Sequence, residues 1–154
     1  MRSALVPALL LALMIPATPV TAGAPGTKAI QTRHAFAVLV DRLDAAIEAA
    51  GMFAVSRASA SVGARRRGIK IAGNLVVGVY RNDFAVRMLE ASVESGIEAP
   101  IRFYVTENPD GTATLRYRLP SAVFAPYGGG AKLEEMAREL DGIFAGIAKQ
   151  AAGF

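Results

Sequence analysis

Residues 101–119 read IRFYVTENPDGTATLRYRL, and this stretch decides the fold because it predicts a β-hairpin. Apolar and polar side chains alternate on both sides of residues 108–111, whose Asn-Pro-Asp-Gly sequence is typical of a type I turn with glycine in the left-handed position. Pairing Asn108 with Thr112 then sets three apolar pairs on one face: Val105 with Leu115, Phe103 with Tyr117, and Ile101 with Leu119. A slip of one residue would mix the two faces, so this register is the expected one.

The opposite face of the predicted hairpin is polar and basic. The same register sets Tyr104 opposite Arg116 and Arg102 opposite Arg118. Like charges directly opposite each other are unfavourable, so either neighbouring carboxylates neutralise them or something acidic binds there. We therefore hypothesise that Arg102, Tyr104, Arg116 and Arg118 form an anion-binding or dimer-contacting surface. Solvated arginines that splay apart are the alternative, because exposed repulsion costs only about a few tenths of a kcal/mol.

The rest of the chain alternates between strand and helix patterns. Strands are expected at residues 27–32, 52–59 and 69–80, the last of them near-continuously apolar and buried on both faces. Helices are expected at residues 35–50 and from Asn82 or Asp83 to Gly96, with a short helical or irregular connection at 61–67. After a loop from Pro120 to the glycines at 128–130, a long amphipathic helix is marked by Leu133, Met136, Leu140, Ile143, Phe144 and Ile147. The order predicts an α+β fold, a two-layer sandwich whose mixed, mostly antiparallel sheet carries helices on one face.

A polar turn joins the predicted central strand to the helix that follows it. Arg81, Asn82 and Asp83 would meet exposed backbone amides at the helix N-terminus, a setting that suits anions. The structural alternative is that Asn82 or Asp83 caps the helix and that Arg87 pairs with Asp83 four residues earlier. Capping explains the residue types but leaves an arginine in the turn unexplained. Residues 81–83 and Arg87 are therefore candidate ligand-binding residues beside that structural interpretation.

The residues around this turn also resemble those of a known family. The runs RNDFAVRMLEAS at 81–92 and GIEAPIRFYV at 96–105 closely resemble one branch of the bacterial family of domains of unknown function numbered 302. The resemblance implies a two-layer α+β arrangement and commonly a homodimer, but no reaction. In this register Asn82 matches the family's asparagine, whereas Arg81 and Asp83 replace its glycine and proline.

A second departure from the family lies earlier in the chain. Members often carry Asp-His eight or nine residues before the glycine that matches Gly68, and here Ser59 and Ala60 stand in that place. Ala64 and Gly68 still match the family. Any role carried by the family's histidine is therefore absent from this chain or is carried elsewhere.

The first 22 residues predict a secretory signal peptide. Arg2 supplies a small positive region, residues 4–15 an apolar run, and Val20-Thr21-Ala22 a small-residue cleavage site. The apolar run is shorter than the ~20 residues that span a bilayer, and prolines at 7 and 16 disfavour the alternative of a retained anchor. The chain has no cysteine for a lipid anchor. We expect one domain, residues 23–154, in a soluble exported protein, most simply periplasmic, without a transmembrane segment after cleavage.

Composition excludes several classes of chemistry. With no cysteine and a single histidine, His34, there is no thiol nucleophile and no basis for structural zinc or haem ligation, so neither a metal nor a cofactor is expected. The net charge of +4 is too small to indicate a nucleic-acid-binding protein. The run of Arg65, Arg66 and Arg67 with Lys70 fits an acidic lipid surface, a polyanion or an acidic partner, or simply a solvated turn.

These observations favour a small exported binding module that acts as a homodimer and takes a small anionic ligand or an acidic partner protein. The alternative is an enzyme of modest acid–base chemistry that uses Asp83, Glu90 or Tyr104, although no spacing among them demands it. A structural envelope component is a second alternative, which the same sequence permits.

Overall fold

One layer of the protein is a five-stranded sheet in the computed structural model, which describes residues 23–154. The predicted signal peptide, residues 1–22, lies outside the described residues. The strands are β1 (Thr27–Ala35), β2 (Phe53–Ala58), β3 (Asn74–Tyr80), β4 (Ile101–Glu107) and β5 (Thr112–Arg118), in the order β1-β5-β4-β3-β2. Every pairing within residues 23–154 is antiparallel, so the sheet has no parallel pair of the kind that a mixed sheet contains. Strands β1 and β2 lie at opposite edges, and the chain between them crosses the whole sheet.

The second layer is helical. The described helices are α1 (Phe36–Ala49), α2 (Ala60–Arg66), α3 (Asn82–Ala91), α4 (Pro120–Phe124) and α5 (Gly130–Ala152), with a 3₁₀ helix at Glu94–Glu98. None of the helices in residues 23–154 combines the length and apolar character needed to cross a membrane. The α+β class and the two layers predicted from the sequence are confirmed.

Helix α4 lies where the sequence predicted only a loop. Pro120 begins it, a position where the missing N–H of proline leaves no helical hydrogen bond unmade. The carboxylate of Asp141 on α5 accepts a hydrogen bond of 2.9 Å from the backbone N–H of Ser121. The prediction was wrong here because a contact 20 residues away supports a helix too short to show periodicity.

The core lies between the sheet and helices α1, α3 and α5. Phe103 of β4 stacks on Phe144 of α5 with ring centroids 4.9 Å apart, and Tyr117 of β5 lies 5.3 Å from Phe103. Leu39 and Leu43 of α1 are buried against the same sheet face. Full burial of a large apolar side chain contributes about 1.5–3 kcal/mol, so the apolar face of the hairpin holds the two layers together.

The hairpin of β4 and β5 has the predicted register. The pairs include Phe103 with Tyr117, Tyr104 with Arg116, and Val105 with Leu115. In the turn, the backbone N–H of Asn108 donates to the carbonyl of Thr112 at 2.7 Å. Gly111 has a φ of 81°, as the left-handed position requires. The predicted register is therefore confirmed from Phe103 to Glu107, whereas the predicted pairs of Ile101 with Leu119 and Arg102 with Arg118 are not part of the β4–β5 ladder.

Strand β3 is shorter than predicted, and only one of its faces is fully buried. It begins at Asn74, so residues 69–73 form a loop instead of the first part of the strand. Val77 and Val79 are buried under the helices, whereas Val76 on the opposite face is only partly buried. The expectation of burial on both faces is wrong because the helices pack on one side of the sheet. The other side, which we call the open face, is available for contacts.

Candidate functional site

The first candidate site, the turn cluster, consists of Arg81, Asp83, Phe84, Arg87 and Glu139. Arg81 precedes α3 in an extended conformation, and its Nε and Nη2 atoms donate to the two carboxylate oxygens of Asp83 at 2.7 and 3.0 Å. These bonds are charge-assisted and hold the carboxylate against the guanidinium. No side chain among the described residues caps α3, so the predicted capping by Asn82 or Asp83 is wrong. Asn82 is instead the first helical residue, and its Oδ1 accepts from the hydroxyl of Tyr80 at 3.3 Å.

Phe84 lies beneath both arginines of the turn cluster. The guanidinium carbons of Arg81 and Arg87 are 4.4 and 5.2 Å from the centroid of its ring, distances at which a cation is attracted to the ring face. Arg87 Nη1 donates to Oε2 of Glu139 on α5 at 2.7 Å. The predicted pairing of Arg87 with Asp83 is therefore wrong. Arg81 already occupies the Asp83 carboxylate, and the packing of α5 on α3 supplies Arg87 with another partner.

The turn cluster neutralises its own charges. The hydrogen bond from Arg81 lowers the pKa of the Asp83 carboxyl, and the same bond raises the pKa of Arg81. Asp83 is thus ionised at neutral pH and is poorly matched to acid–base catalysis there. The cavity beside Phe84 has a volume of about 30 Å³, which leaves room for little more than water. The turn cluster is therefore an ion-pair network at the surface whose charged groups already have partners within the described chain.

The second candidate site, the open-face cluster, consists of Arg102, Tyr104, Arg116 and Arg118. Side chains alternate along a strand, so Arg102 and Tyr104 point away from the core into which Phe103 and Val105 point. Tyr104 lies between Val76 of β3 and Arg116 of β5 in one row across the sheet. Its side chain is 40% exposed, so this row is accessible from solvent.

None of the arginines in the open-face cluster forms an ion pair with another residue of the described chain, 23–154. Arg116 Nη1 donates to Oγ1 of Thr106 at 2.6 Å, and Arg118 Nη2 donates to the carbonyl of Ala122 at 3.4 Å. Nε of Arg118 is buried and has no hydrogen-bond acceptor within the described residues. Leaving a buried donor unsatisfied costs about 1–3 kcal/mol, so this nitrogen lowers the stability of the ligand-free protein.

A concavity of about 280 Å³ lies over the open-face cluster. All residues of the cluster line it, and so does the carboxylate of Glu98. Oε1 of Glu98 accepts a hydrogen bond from the hydroxyl of Tyr127 at 2.8 Å, and this bond raises the pKa of Tyr127. This carboxylate is therefore engaged by a neutral donor instead of by an arginine of the cluster. Guanidinium groups bind carboxylate and phosphate oxygens in a bidentate way, so the arrangement suits a small anion.

The structure divides the candidate residues between opposite sides of the sheet. The turn cluster lies among the helices, and the open-face cluster lies on the side that they leave uncovered. Asp83 and Glu90 of α3 therefore lie apart from Tyr104 of β4. Residues 23–154 also contain no group of three or more His, Cys, Asp or Glu side chains placed to hold a metal ion.

His34 and Ser59, both noted in the sequence, lie at the ends of helices. His34 lies beside Gly153 at the C-terminal end of α5, where Arg42 donates to the carbonyl of Ala151 at 2.7 Å. Cations are favourable at this end of a helix. Ser59, at the place of the family's Asp-His pair, caps α2 by accepting from the backbone N–H of Val62 at 3.2 Å. Capping accounts for a serine at this position.

Sequence reasoning missed two carboxylates at the candidate sites: Glu139, which pairs with Arg87, and Glu98, which accepts from Tyr127. Glu139 lies 52 residues after Arg87, and Glu98 lies 29 residues before Tyr127. No local spacing connects either pair. The sequence indicated Glu139 only indirectly, because this residue falls on the polar side of the amphipathic helix predicted at the C-terminus.

Comparisons with known proteins agree on one family. The family described as Domain of unknown function DUF302 matches residues 28–150. A similar solved structure is the crystal structure of an uncharacterized conserved DUF302 protein from Bacillus stearothermophilus, with a TM-score of 0.71 and 16% sequence identity. The similarity covers 83% of this chain and 99% of that chain. At this identity the likeness shows the fold alone. No curated protein matches the chain.

Proposed function

Because the chain belongs to the DUF302 family, whose description names no activity, we propose its function from the open-face cluster. The protein is an exported binding module that acts as a homodimer and holds a small anion on the open face of its sheet. Arg102, Arg116 and Arg118 supply guanidinium donors, and Tyr104 adds a hydroxyl beside them. The ligand carries a carboxylate or phosphate group, since the planar fork of arginine matches both.

One observation carries the proposal: the arginines of the open face lack the carboxylates that every arginine of the turn cluster has. Arg81 and Arg87 each form an ion pair of 2.7 Å. Arg118, in contrast, leaves its buried Nε without an acceptor in the described chain. The open-face arginines therefore keep positive charge that a carboxylate or phosphate from outside would neutralise.

The alternatives have less support. An enzyme that uses Asp83 would rely on a carboxyl whose pKa is already lowered by its hydrogen bond from Arg81, which makes it a weak base at neutral pH. A structural envelope component would not require a row of uncompensated arginines over a concavity. We therefore retain binding of an anion as the function that the geometry favours.

Glutamine at both Arg102 and Arg118 tests the proposal. In calorimetry at low ionic strength, the double variant should bind inorganic phosphate or citrate at least about ten-fold more weakly than the unaltered protein, because two charge-assisted contacts are lost. Added salt should weaken binding by the unaltered protein, since the site is exposed. The matched control is Arg66→Gln with Arg67→Gln, which removes the same charge from the end of α2, away from the concavity.

The control variant should bind these anions as tightly as the unaltered protein. Equal binding by the two double variants, or no binding by the unaltered protein, would reject the open-face site. A gain in stability of Arg102→Gln/Arg118→Gln without any loss of binding would identify the arginines as solvated. Capture of an acidic protein without affinity for phosphate or citrate would reject a small ligand.

The homodimer has support in the edge strand β2. Phe53 and Val55 on this strand are 63% and 53% exposed, and an apolar sheet edge readily pairs with another chain. Sedimentation velocity should therefore detect a dimer. Val55→Lys should shift it toward the monomer, because a charge on the edge opposes pairing. A monomeric unaltered protein would reject this part of the proposal.

Export has support in the pattern of residues 1–22. Cleavage after Ala22 would give a mature protein that starts at Gly23. The intact mass of protein recovered from an exporting host measures this directly. A mature N-terminus at Met1 would reject export by a cleaved signal.

A further inference from the structure

A second and larger concavity, the α1–α2 cleft, lies at the end of the sheet that carries the hairpin turn. Its volume is about 890 Å³, within the range of about 300–1,000 Å³ that is common for ligand sites. One wall is the start of α1, with Phe36 and Val40. The other wall is α2 and the loop that follows it, and Leu75 of β3 lies at the base. The cleft shares no lining residue with the concavity over the open-face cluster.

The wall formed by α2 and its loop presents apolar side chains to solvent. Val62, Ile69 and Ile71 line the cleft and are 49%, 46% and 46% exposed. Single exposed aliphatic residues are ordinary, but several around one concavity mark a binding surface. Covering them would gain about 25 cal/mol for each Å² of apolar surface removed from water.

Hydrogen bonds hold this wall in place, and they pair the polar side chains of the cleft with backbone N–H groups. Oδ1 of Asn74 accepts from the backbone N–H of Ala60 at 2.8 Å, and Oγ of Ser61 accepts from that of Asn74 at 3.4 Å. The carboxylate of Glu107 accepts from the backbone N–H of Gly73 at 2.7 Å. The position of this wall is therefore fixed by hydrogen bonds within the protein. The surface that remains for a ligand is mainly apolar.

The basic run noted in the sequence divides at this cleft. Arg65 and Lys70 line it, whereas Arg66 and Arg67 do not. Neither Arg65 nor Lys70 forms an ion pair with any residue of the part of the chain that the structure describes. Of the acidic residues in the lining, Glu107 is engaged by Gly73, and Asp41 lies on the opposite wall in α1. The wall formed by α2 and its loop therefore carries these two cations beside its exposed aliphatic side chains.

We propose that the α1–α2 cleft binds an amphipathic organic anion. An extended apolar chain lies between the walls, against Val62, Ile69 and Ile71, and its carboxylate lies at Arg65 and Lys70. The apolar gap selects the chain, and the two cations select the charge of the headgroup. This site is separate from the open-face cluster and does not depend on the function proposed for it.

Dodecanoate, a saturated twelve-carbon carboxylate kept in monomeric solution, is the probe for this site. Titration calorimetry should show that it binds the unaltered protein. Arg65→Gln with Lys70→Gln should weaken binding about ten-fold or more, because the carboxylate loses both cations. Arg66→Gln with Arg67→Gln is the matched control, with the same loss of charge from the same run, and should change the affinity less than about two-fold.

A second pair of variants tests the apolar chain. Ile71→Ser should weaken dodecanoate binding several-fold, whereas Ile97→Ser should leave it unchanged, because Ile97 is 81% exposed on the 3₁₀ helix outside the cleft. Both side chains are exposed, so both variants should keep the melting temperature of the unaltered protein, which confirms that they fold. Phosphate should not compete with dodecanoate, since the open face is a different site.

Three results would overturn the inference. The first is the absence of dodecanoate binding to the unaltered, folded protein. The second is equal binding by the cleft variants and their controls. The third is tighter binding of dodecyltrimethylammonium than of dodecanoate, with loss of that binding in Asp41→Asn, which would show that the cleft takes a cation. None of these outcomes bears on phosphate binding at Arg102 and Arg118, so the two sites are tested separately.

Discussion

The turn cluster and the open-face cluster are both built around arginines, yet they treat charge in opposite ways. In the turn cluster, carboxylates and the ring of Phe84 surround Arg81 and Arg87. In the open-face cluster, Arg116 and Arg118 have only a hydroxyl and a carbonyl as partners in the described chain. An arginine beside a helix N-terminus is therefore weak evidence for a ligand site when its partners belong to the same chain. Arginines without a carboxylate partner are stronger evidence for such a site.

Removing the ring of the turn cluster should have the largest effect on the molecule. Phe84 is buried in the core as well as beneath two guanidinium groups, so Phe84→Ala should lower the free energy of unfolding by about 3–5 kcal/mol, as measured by denaturant titration. Phe154→Ala is the matched control, because this ring is 73% exposed and lies outside the proposed sites, and it should cost about 1 kcal/mol or less. Equal losses in the two variants would contradict the buried position of Phe84.

The hairpin and its faces could be predicted because their determinants are local. Alternation with period two and the Asn-Pro-Asp-Gly turn fix the register of β4 and β5, and this register places both the core residues and the open-face cluster. Helix α4 and the true start of β3 could not be predicted in the same way. Asp141 supports α4 from another helix, and residues 69–73 are as apolar as a strand although they form a loop at the α1–α2 cleft.

The candidate sites could be predicted only as sets of residues. The sequence identified residues 81–83 and Arg87 as a group, but it left open whether they bind a ligand or whether Asn82 or Asp83 caps α3 while Arg87 pairs with Asp83. Partners from distant elements decide which interaction forms, as Glu139 does for Arg87. The division of the basic run at the α1–α2 cleft likewise depends on how α2 and its loop are oriented, which charge counting does not reveal.

A substitution in the hairpin turn, which sets the register of the open face, should have the second largest effect on stability. Gly111 has a φ of 81°, and a β-carbon at this position would meet no other atom within 4 Å, so Gly111→Val would suffer backbone strain and no clash. It should lower the free energy of unfolding by about 1–2 kcal/mol, because a left-handed conformation is costly for residues other than glycine. Thermal and urea unfolding measure the loss. An unchanged midpoint would contradict the turn that sets the open-face register.

The same substitution should change stability in opposite directions in the two clusters. Arg81→Met removes an exposed bidentate ion pair and a cation–π contact and should destabilise the protein by about 1 kcal/mol. Arg118→Met keeps the aliphatic stem but removes the buried Nε that has no acceptor in the described residues, so it should stabilise the ligand-free protein by up to about 1 kcal/mol. Urea unfolding of both variants without added anions is the measurement. Destabilisation by Arg118→Met would show that its guanidinium is satisfied.

Acidification should lower the free energy of unfolding by protonating Asp83 of the turn cluster. This is the smallest of the effects predicted for the two clusters. The hydrogen bond from Arg81 lowers the pKa of Asp83 below its ordinary value of 3.8. A carboxyl whose pKa falls on folding adds stability above its unfolded pKa and loses that contribution as pH falls through the lower folded pKa. Asp83 is exposed, so the contribution should be about a few tenths of a kcal/mol.

A double-mutant cycle isolates this contribution. The difference in unfolding free energy between the unaltered protein and Asp83→Asn should be present at about pH 6 and should shrink toward zero as pH falls below about 3.9. In the background of Arg81→Gln, Asp83→Asn should have almost no effect at either pH, because the partner that lowers the pKa of Asp83 is gone. A difference that persists or grows on acidification would contradict the self-neutralised turn. Arg81 would then be free to bind an external anion, and the two clusters would no longer differ in whether their arginines have carboxylate partners.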